Sequence, residues 1–299
     1  MLFYGLTHQE YGSSGEIVDF TSPMNAHPLR FIPLLTISVI LIAGRPAFAN
    51  SSTYNGNGNT GFGGAVGAGN LKVSDDGSGG FDFTFTLGDS ALNMGGNDLV
   101  IYLDDGAGGG IGTDTSGMTD AADGARSPVS EYTTTGDSGG AGRSTLNFGG
   151  LMNPQFAVDL SISGAGNNGG NSDIFKLVNG GSLNFIDNAP ASSGASSNGE
   201  TYTVANGVMS VDIPAVDFNL SAFSGATLKF AALEVSETGY SSNEGTEGVS
   251  GNEGWGNTQT ITSVDTFTVA VPEPSAVGLV LCGGVAALLM MRRSRPQRS

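Results

Sequence analysis

Between Asn50 and Val271 this 299-residue chain contains no histidine and no cysteine: His8 and His27 precede that stretch, and Cys282 follows it. That absence removes whole mechanisms. Ser-His-Asp and Cys-His nucleophilic systems need an imidazole, and zinc, haem and iron-sulfur centres are built mainly from His and Cys donors. No disulfide can form in the stretch either, so it must stand on its core and its hydrogen bonds. Basic residues are nearly as scarce: Lys72, Arg126, Arg143, Lys176 and Lys229 face 24 acids, a net charge of −19. Such a surface repels nucleic acid and anionic lipid, which excludes both as partners. Trp255 is the only tryptophan of the chain.

What remains available is carboxylate chemistry, either paired acids of the glycosidase kind or oxygen ligands for calcium. The densest acids follow an apolar run: Asp104, Asp105, Asp114, Asp120 and Asp123, interleaved with Gly106, Gly108 to Gly110 and Gly112. Glycine lets such a loop turn its carboxylates inward, so the loop is a candidate for one calcium site, with a solvated acidic loop as the alternative, and the EF-hand glutamate is missing. Within that loop, Gly109-Gly110-Ile111-Gly112-Thr113-Asp114 resembles one copy of the calcium-binding repeat of toxin-type β-rolls, with Ser116 where an apolar residue is expected. A second candidate runs from Tyr240 to Trp255, where Tyr240, Glu244, Glu253 and Trp255 combine rings that stack on sugars with carboxylates that bond hydroxyls. No short motif singles out a catalytic pair, and Gly106 to Gly110 lacks the lysine and helix of a phosphate loop. The expectation is a non-enzymatic body, with a carbohydrate-binding module or carboxylate glycan hydrolase as the alternative.

Alternation points to an all-β fold. Phe81, Phe83, Phe85 and Leu87 share one face of a strand, and further strands are expected over Asp98–Leu103, Ser144–Phe148, Phe156–Ile162, Asp173–Val178, Ser182–Ile186, Thr201–Ala205, Val208–Ile213, Val216–Leu220, Ala226–Val235 and Thr258–Val269. Asn206-Gly207 has the residues of a two-residue hairpin turn, and Asn179 to Gly181 is a similar candidate. Short strands linked by Gly, Asn, Asp and Ser predict a single antiparallel β-sandwich of jelly-roll type over residues 50–270. Asn50 to Gly69, rich in Gly and Asn, reads as a flexible lead-in or a set of tight turns.

The two ends carry transport signals. His27 and Arg30 precede an apolar core, Phe31 to Ala43, and Ala47-Phe48-Ala49 supplies small residues at the positions a signal peptidase reads, so 24–49 is expected to be a signal peptide cut before Asn50. Residues 1–23, with Glu10, Glu16 and Asp19, fit no part of such a signal and read as an extension ahead of the true start at Met24. At the other end, Pro272, Glu273 and Pro274 force an extended joint, Ala276 to Met291 is uncharged, and Arg292, Arg293, Arg295 and Arg298 follow. Sixteen residues of helix reach about 24 Å against a hydrocarbon core of about 30 Å, a short transmembrane span held by cytoplasmic arginines. This tail, 271–299, resembles the PEP-CTERM sorting domain of bacterial exported proteins. The resemblance implies transient membrane anchoring, cleavage by an exosortase, and delivery to the cell envelope or an extracellular polysaccharide matrix. Gly61 to Gly64, Leu99 to Asp104 and the tail together resemble a group of exported β-sandwich proteins of environmental bacteria, which implies fold and destination and no activity.

Overall fold

The computed structural model describes residues 50–270, apart from 76–78, 89–93, 95, 135–141, 163–168, 179–182, 192–194 and 219–226. The expected signal peptide with Ala47 and Ala49, the expected 1–23 extension, the expected Asn179 to Gly181 turn and the expected sorting tail with Pro272 to Pro274 and the four arginines lie outside the described residues. No helix among the described residues is long and apolar enough to cross a membrane.

The chain is all-β and mostly antiparallel. One sheet joins β1 (Ser51–Asn55), β2 (Asn70–Asp75) and β3 (Phe81–Thr86) as a meander, then adds β12 (Val208–Ile213) and β11 (Thr201–Ala205). The second sheet runs β10 (Asn184–Pro190), β9 (Asn171–Lys176), β8 (Phe156–Ser161), β4 (Asn97–Asp104) and β13 (Thr227–Ser236). The far edge of β13 is shared by β14 (Ser241–Gly245) and β17 (Asp265–Thr268).

The alternation read in β3 places Phe81, Phe83 and Phe85 inside, each at most 2 % exposed. Val73 and Val211 flank Phe83 in register, and Leu71 and Met209 flank Phe85. Against these side chains the second sheet presents Leu99, Ile101, Leu103, Val158, Leu160 and Phe230, so the two sheets share one core. The Asn206-Gly207 turn between β11 and β12 has φ of 51° and 76°, the positive pair that a two-residue hairpin turn matching strand twist requires.

The second sheet is covered on both faces. Val100 and Tyr102 of β4, Ala231 and Leu233 of β13 and Phe175 of β9 point away from the first core into a second one, with Ile111, Met118, Val129, Leu146, Phe148 and Ile261. This outer layer consists of the 105–125 loop, helix α1 (Arg126–Ser130), and a small sheet of β15 (Val249–Gly251), β16 (Thr258–Ile261) and β7 (Thr145–Asn147), whose β16 and β7 run parallel. A two-stranded ribbon, β5 (Tyr132–Thr133) with β6 (Gly142–Arg143), completes it. The continuous apolar run Leu99 to Leu103 is the sequence form of a strand buried on both sides.

Two expected strands differ. Of the Val216–Leu220 stretch, the described residues Val216 to Phe218 are not a strand: helical turn α2 (Ala215–Phe218) follows Pro214, whose carbonyl accepts from Asp217 N at 3.0 Å, and Phe218 packs edge-on against Phe156 at 5.0 Å. Proline at its fixed φ starts a turn more readily than it continues a strand. Thr258–Val269 is two strands, β16 and β17, because the chain leaves the outer layer and joins the middle sheet between Ile261 and Asp265. The lead-in expectation fails at residues 51–55, which form β1 against β2.

Candidate functional site

The acids of the 104–123 loop are satisfied one by one, locally. Asp104 accepts from Gly106 N and Asn153 N, both at 2.8 Å, and Asp105 accepts from Ala107 N at 2.7 Å. Asp114 caps the 3-10 turn Thr115–Gly117 through Ser116 N at 2.9 Å, and the Ser116 hydroxyl, its largest influence, holds its carboxyl below the usual range. Asp120 and Asp123 pair with Arg126 at 3.2 and 3.1 Å. Positive φ at Gly106, Gly108, Gly109 and Gly112 turns the backbone so that each acid meets its own N–H groups. The expected convergence on one calcium ion is therefore not what the loop geometry provides.

Convergence occurs elsewhere. Among the described residues, one trio of acids brings a carboxylate oxygen from each within 4.8 Å of the others: Asp187 of β10, Glu200 just before β11, and Asp217 of α2. All three are buried, at 5, 0 and 7 % exposure. Burial first, then the Asp187 and Asp217 charges, push Glu200 up to about 8 against the Ser172 hydroxyl bond, and burial likewise raises Asp217. No motif marks these residues in the sequence; they lie in the middle of β10, just before β11 and on a helical turn, which only the fold brings together.

A cleft of about 400 Å³ opens on the outer face of the middle sheet. Its floor is a row of acids across three strands: Asp159 of β8 stands directly opposite Asp173 of β9, and Asp98 of β4 lies diagonally from Asp159. Asp123 and Glu237 add carboxylates, and Phe175 and Phe185 add apolar wall. Asp98 and Asp159 are each 1 % exposed, with one buried oxygen of each lacking a hydrogen-bond partner. Burial raises both carboxyls well above their ordinary range, with Glu237 and Asp173 adding to Asp98, and Asp98 and Asp173 to Asp159. Asp173 is pushed up to about 6, chiefly by burial and secondarily by Asp123, with Arg126 opposing. Strand parity carried a signal for these three, since each acid interrupts an apolar strand at the register that a second layer covers.

The Tyr240 to Trp255 candidates divide. Glu244 is fully buried and wholly occupied: its two oxygens accept from the backbone N–H groups of Phe62, Gly64, Val66 and Gly67 at 2.7 to 3.1 Å. It organises the glycine-rich turn and has no group left for a sugar. Tyr240 and Trp255 do come together, with ring centroids 5.8 Å apart and planes tilted by 39°, and Phe62 stacks on Tyr240 at 5.2 Å and 23°. The three half-buried rings form a continuous platform. Glu253 borders it, raising the Tyr240 hydroxyl after burial does, and a Cβ on Gly61 would collide with the Glu253 carboxylate. Beneath Trp255 lies Gly142, where a Cβ would approach the indole to 3.0 Å, so the glycine seats the ring.

No protein-family model, no curated protein and no solved structure matches this chain.

Proposed function

We propose that this is an exported, non-catalytic protein of the cell envelope or extracellular matrix, whose β-sandwich body adheres to extracellular polysaccharide through the Phe62–Tyr240–Trp255 platform. The platform carries the reading: three adjoining half-buried rings, with the Glu253 carboxylate beside them, offer apolar surface for sugar rings and an acceptor for their hydroxyls. The shared core of the two larger sheets supports the sandwich, whose β1-β2-β3 and β8-β9-β10 meanders set it apart from the strand alternation of a jelly roll. Export rests on the signal-peptide and PEP-CTERM-like terminal sequences, with signal peptidase and exosortase as the processing partners. Affinity electrophoresis through gels containing matrix polysaccharide is the test of adhesion. Retardation of the wild-type protein, lost in Trp255→Ala and Tyr240→Ala variants of unchanged circular dichroism, is expected; equal mobility with and without polysaccharide overturns it. Deleting 271–299 should change the final location, and an unchanged location overturns the sorting half.

One observation favours a second reading. The cleft holds neighbouring carboxyls that burial raises, Asp159 well above its ordinary range and Asp173 to about 6, the arrangement a glycan hydrolase uses for its general acid. Release of reducing ends from polysaccharide, abolished by Asp159→Asn, distinguishes hydrolysis from adhesion.

A further inference from the structure

We infer that Asp187, Glu200 and Asp217 form a divalent-cation site, of calcium type, that ties the edge of one sheet to the edge of the other. Two independent observations meet there. The three carboxylates come from separate segments and place oxygens within 4.8 Å of one another, the reach of oxygens that share one calcium ion at about 2.3–2.6 Å. Their protein donors then run short. Ser196 Oγ donates to Asp187 Oδ2, Ser172 Oγ to Glu200 Oε1, and Asn198 Nδ2 to Asp217 Oδ1 at 2.8 Å, one bond for each acid. Glu200 Oε2 and Asp217 Oδ2 stay buried with no hydrogen-bond partner.

No cation among the described residues answers them. The ion pairs found there belong to Arg126, which is engaged with Asp120 and Asp123. Three carboxyls buried together without a counter-charge repel one another when ionised, and a bound divalent ion removes that cost while filling the leftover oxygens. The donor set is all oxygen, which suits calcium and disfavours zinc or copper.

Position gives the ion a purpose. The chain passes from β10 in the second sheet to β11 in the first through 191–200, a segment closed by Ser196 N to Glu200 O at 2.7 Å and Glu200 N to Ser196 Oγ at 2.9 Å. An ion held by Asp187, Glu200 and Asp217 clamps this crossing to α2, a cross-link between segments that a cysteine-free body cannot make by disulfide. The inference concerns binding only and stands apart from export and adhesion.

The test uses the full chain in mild detergent, stripped with chelator, then given calcium alone. Equilibrium dialysis should find one calcium bound per chain, and the melting midpoint should climb as calcium rises to about 10 mM. Glu200→Gln and Asp217→Asn should each weaken binding by about tenfold or more and flatten that climb, while Asp114→Asn leaves both intact. In chelator, Glu200→Gln should melt no lower than wild type, since it relieves repulsion. Absence of bound calcium together with an unmoved midpoint overturns the site. So does binding that survives both trio variants, or that disappears in Asp114→Asn. If one trio variant fails to fold, the other variant and the wild-type stoichiometry decide.

Discussion

Five carboxylates crowded into residues 104–123 meet at no common point, three on separate backbone N–H groups and two on Arg126, whereas Asp187, Glu200 and Asp217, spread along 187–217, end up together. The contrast follows from what the neighbouring backbone is free to give. In a glycine-rich loop the N–H groups are unpaired, so Asp104, Asp105 and Asp114 each bend onto an N–H two residues ahead. In and beside strands the ladder has consumed those groups, and the acids keep oxygens without donors, as Asp98, Asp159 and Glu200 do. Local acid density in this sequence therefore marks turns, and scattered acids in and beside strands mark places where charge gathers. Acids of the satisfied kind should stabilise this protein, and acids of the donor-poor kind should strain it.

The largest expected effect comes from pH. Burial, as the first cause, pushes Glu131, Glu234 and Glu247 up to about 8. A folded-state pKa above the unfolded value means that the folded chain holds the proton more tightly, so stability is full below about 4.5 and is lost as pH rises through about 8. A carboxyl whose pKa rises by one on folding is worth about 1.4 kcal/mol, so the melting midpoint should fall steeply between pH 5 and pH 8. A midpoint that is flat or rises over that interval contradicts the strained half of the comparison.

Next in size is Glu244→Ala. Four backbone N–H groups, three of them on the buried Gly64, Val66 and Gly67, lose their acceptor. At about 1–3 kcal/mol for each buried donor left unpaired, several kcal/mol should go, and hydrogen exchange should speed up first across residues 59–67. An unchanged melting midpoint would show that the glycine-rich turn holds itself. Smallest is Asp159→Asn, which should raise stability by about 1–2 kcal/mol at pH 8 and by less at pH 5, because burial raises this carboxyl well above its ordinary range and so favours its neutral form as pH falls. Thermal melts at the two pH values read the difference directly, and a loss of stability at pH 8 would mean that Asp159 has a partner when ionised.

Much of the fold is legible in the order of the residues. The Phe81 to Leu87 alternation, the Asn206-Gly207 hairpin and the unbroken Leu99 to Leu103 run record local geometry, because a pleat of period two and a turn with positive φ leave their marks on adjacent residues. Val216–Leu220 misled because its apolar spacing suits a strand while Pro214 ahead of it starts a turn. Thr258–Val269 misled because a β pattern continues across a change of layer without interruption. For the site, Tyr240, Glu253 and Trp255 stood out by their chemistry, yet Phe62 joined them from 178 residues away in the chain and Glu244 turned inward.

What the sequence determined alone is inventory and local form: a body of net charge −19, no imidazole or thiol within it, and strands and turns in order. The tertiary structure decided which strand faces were covered, which acids kept free oxygens and which rings aligned. Periodicity reports which side chains leave water, but their partners are set by the packing of layers distant in sequence, and that information lies in no local window.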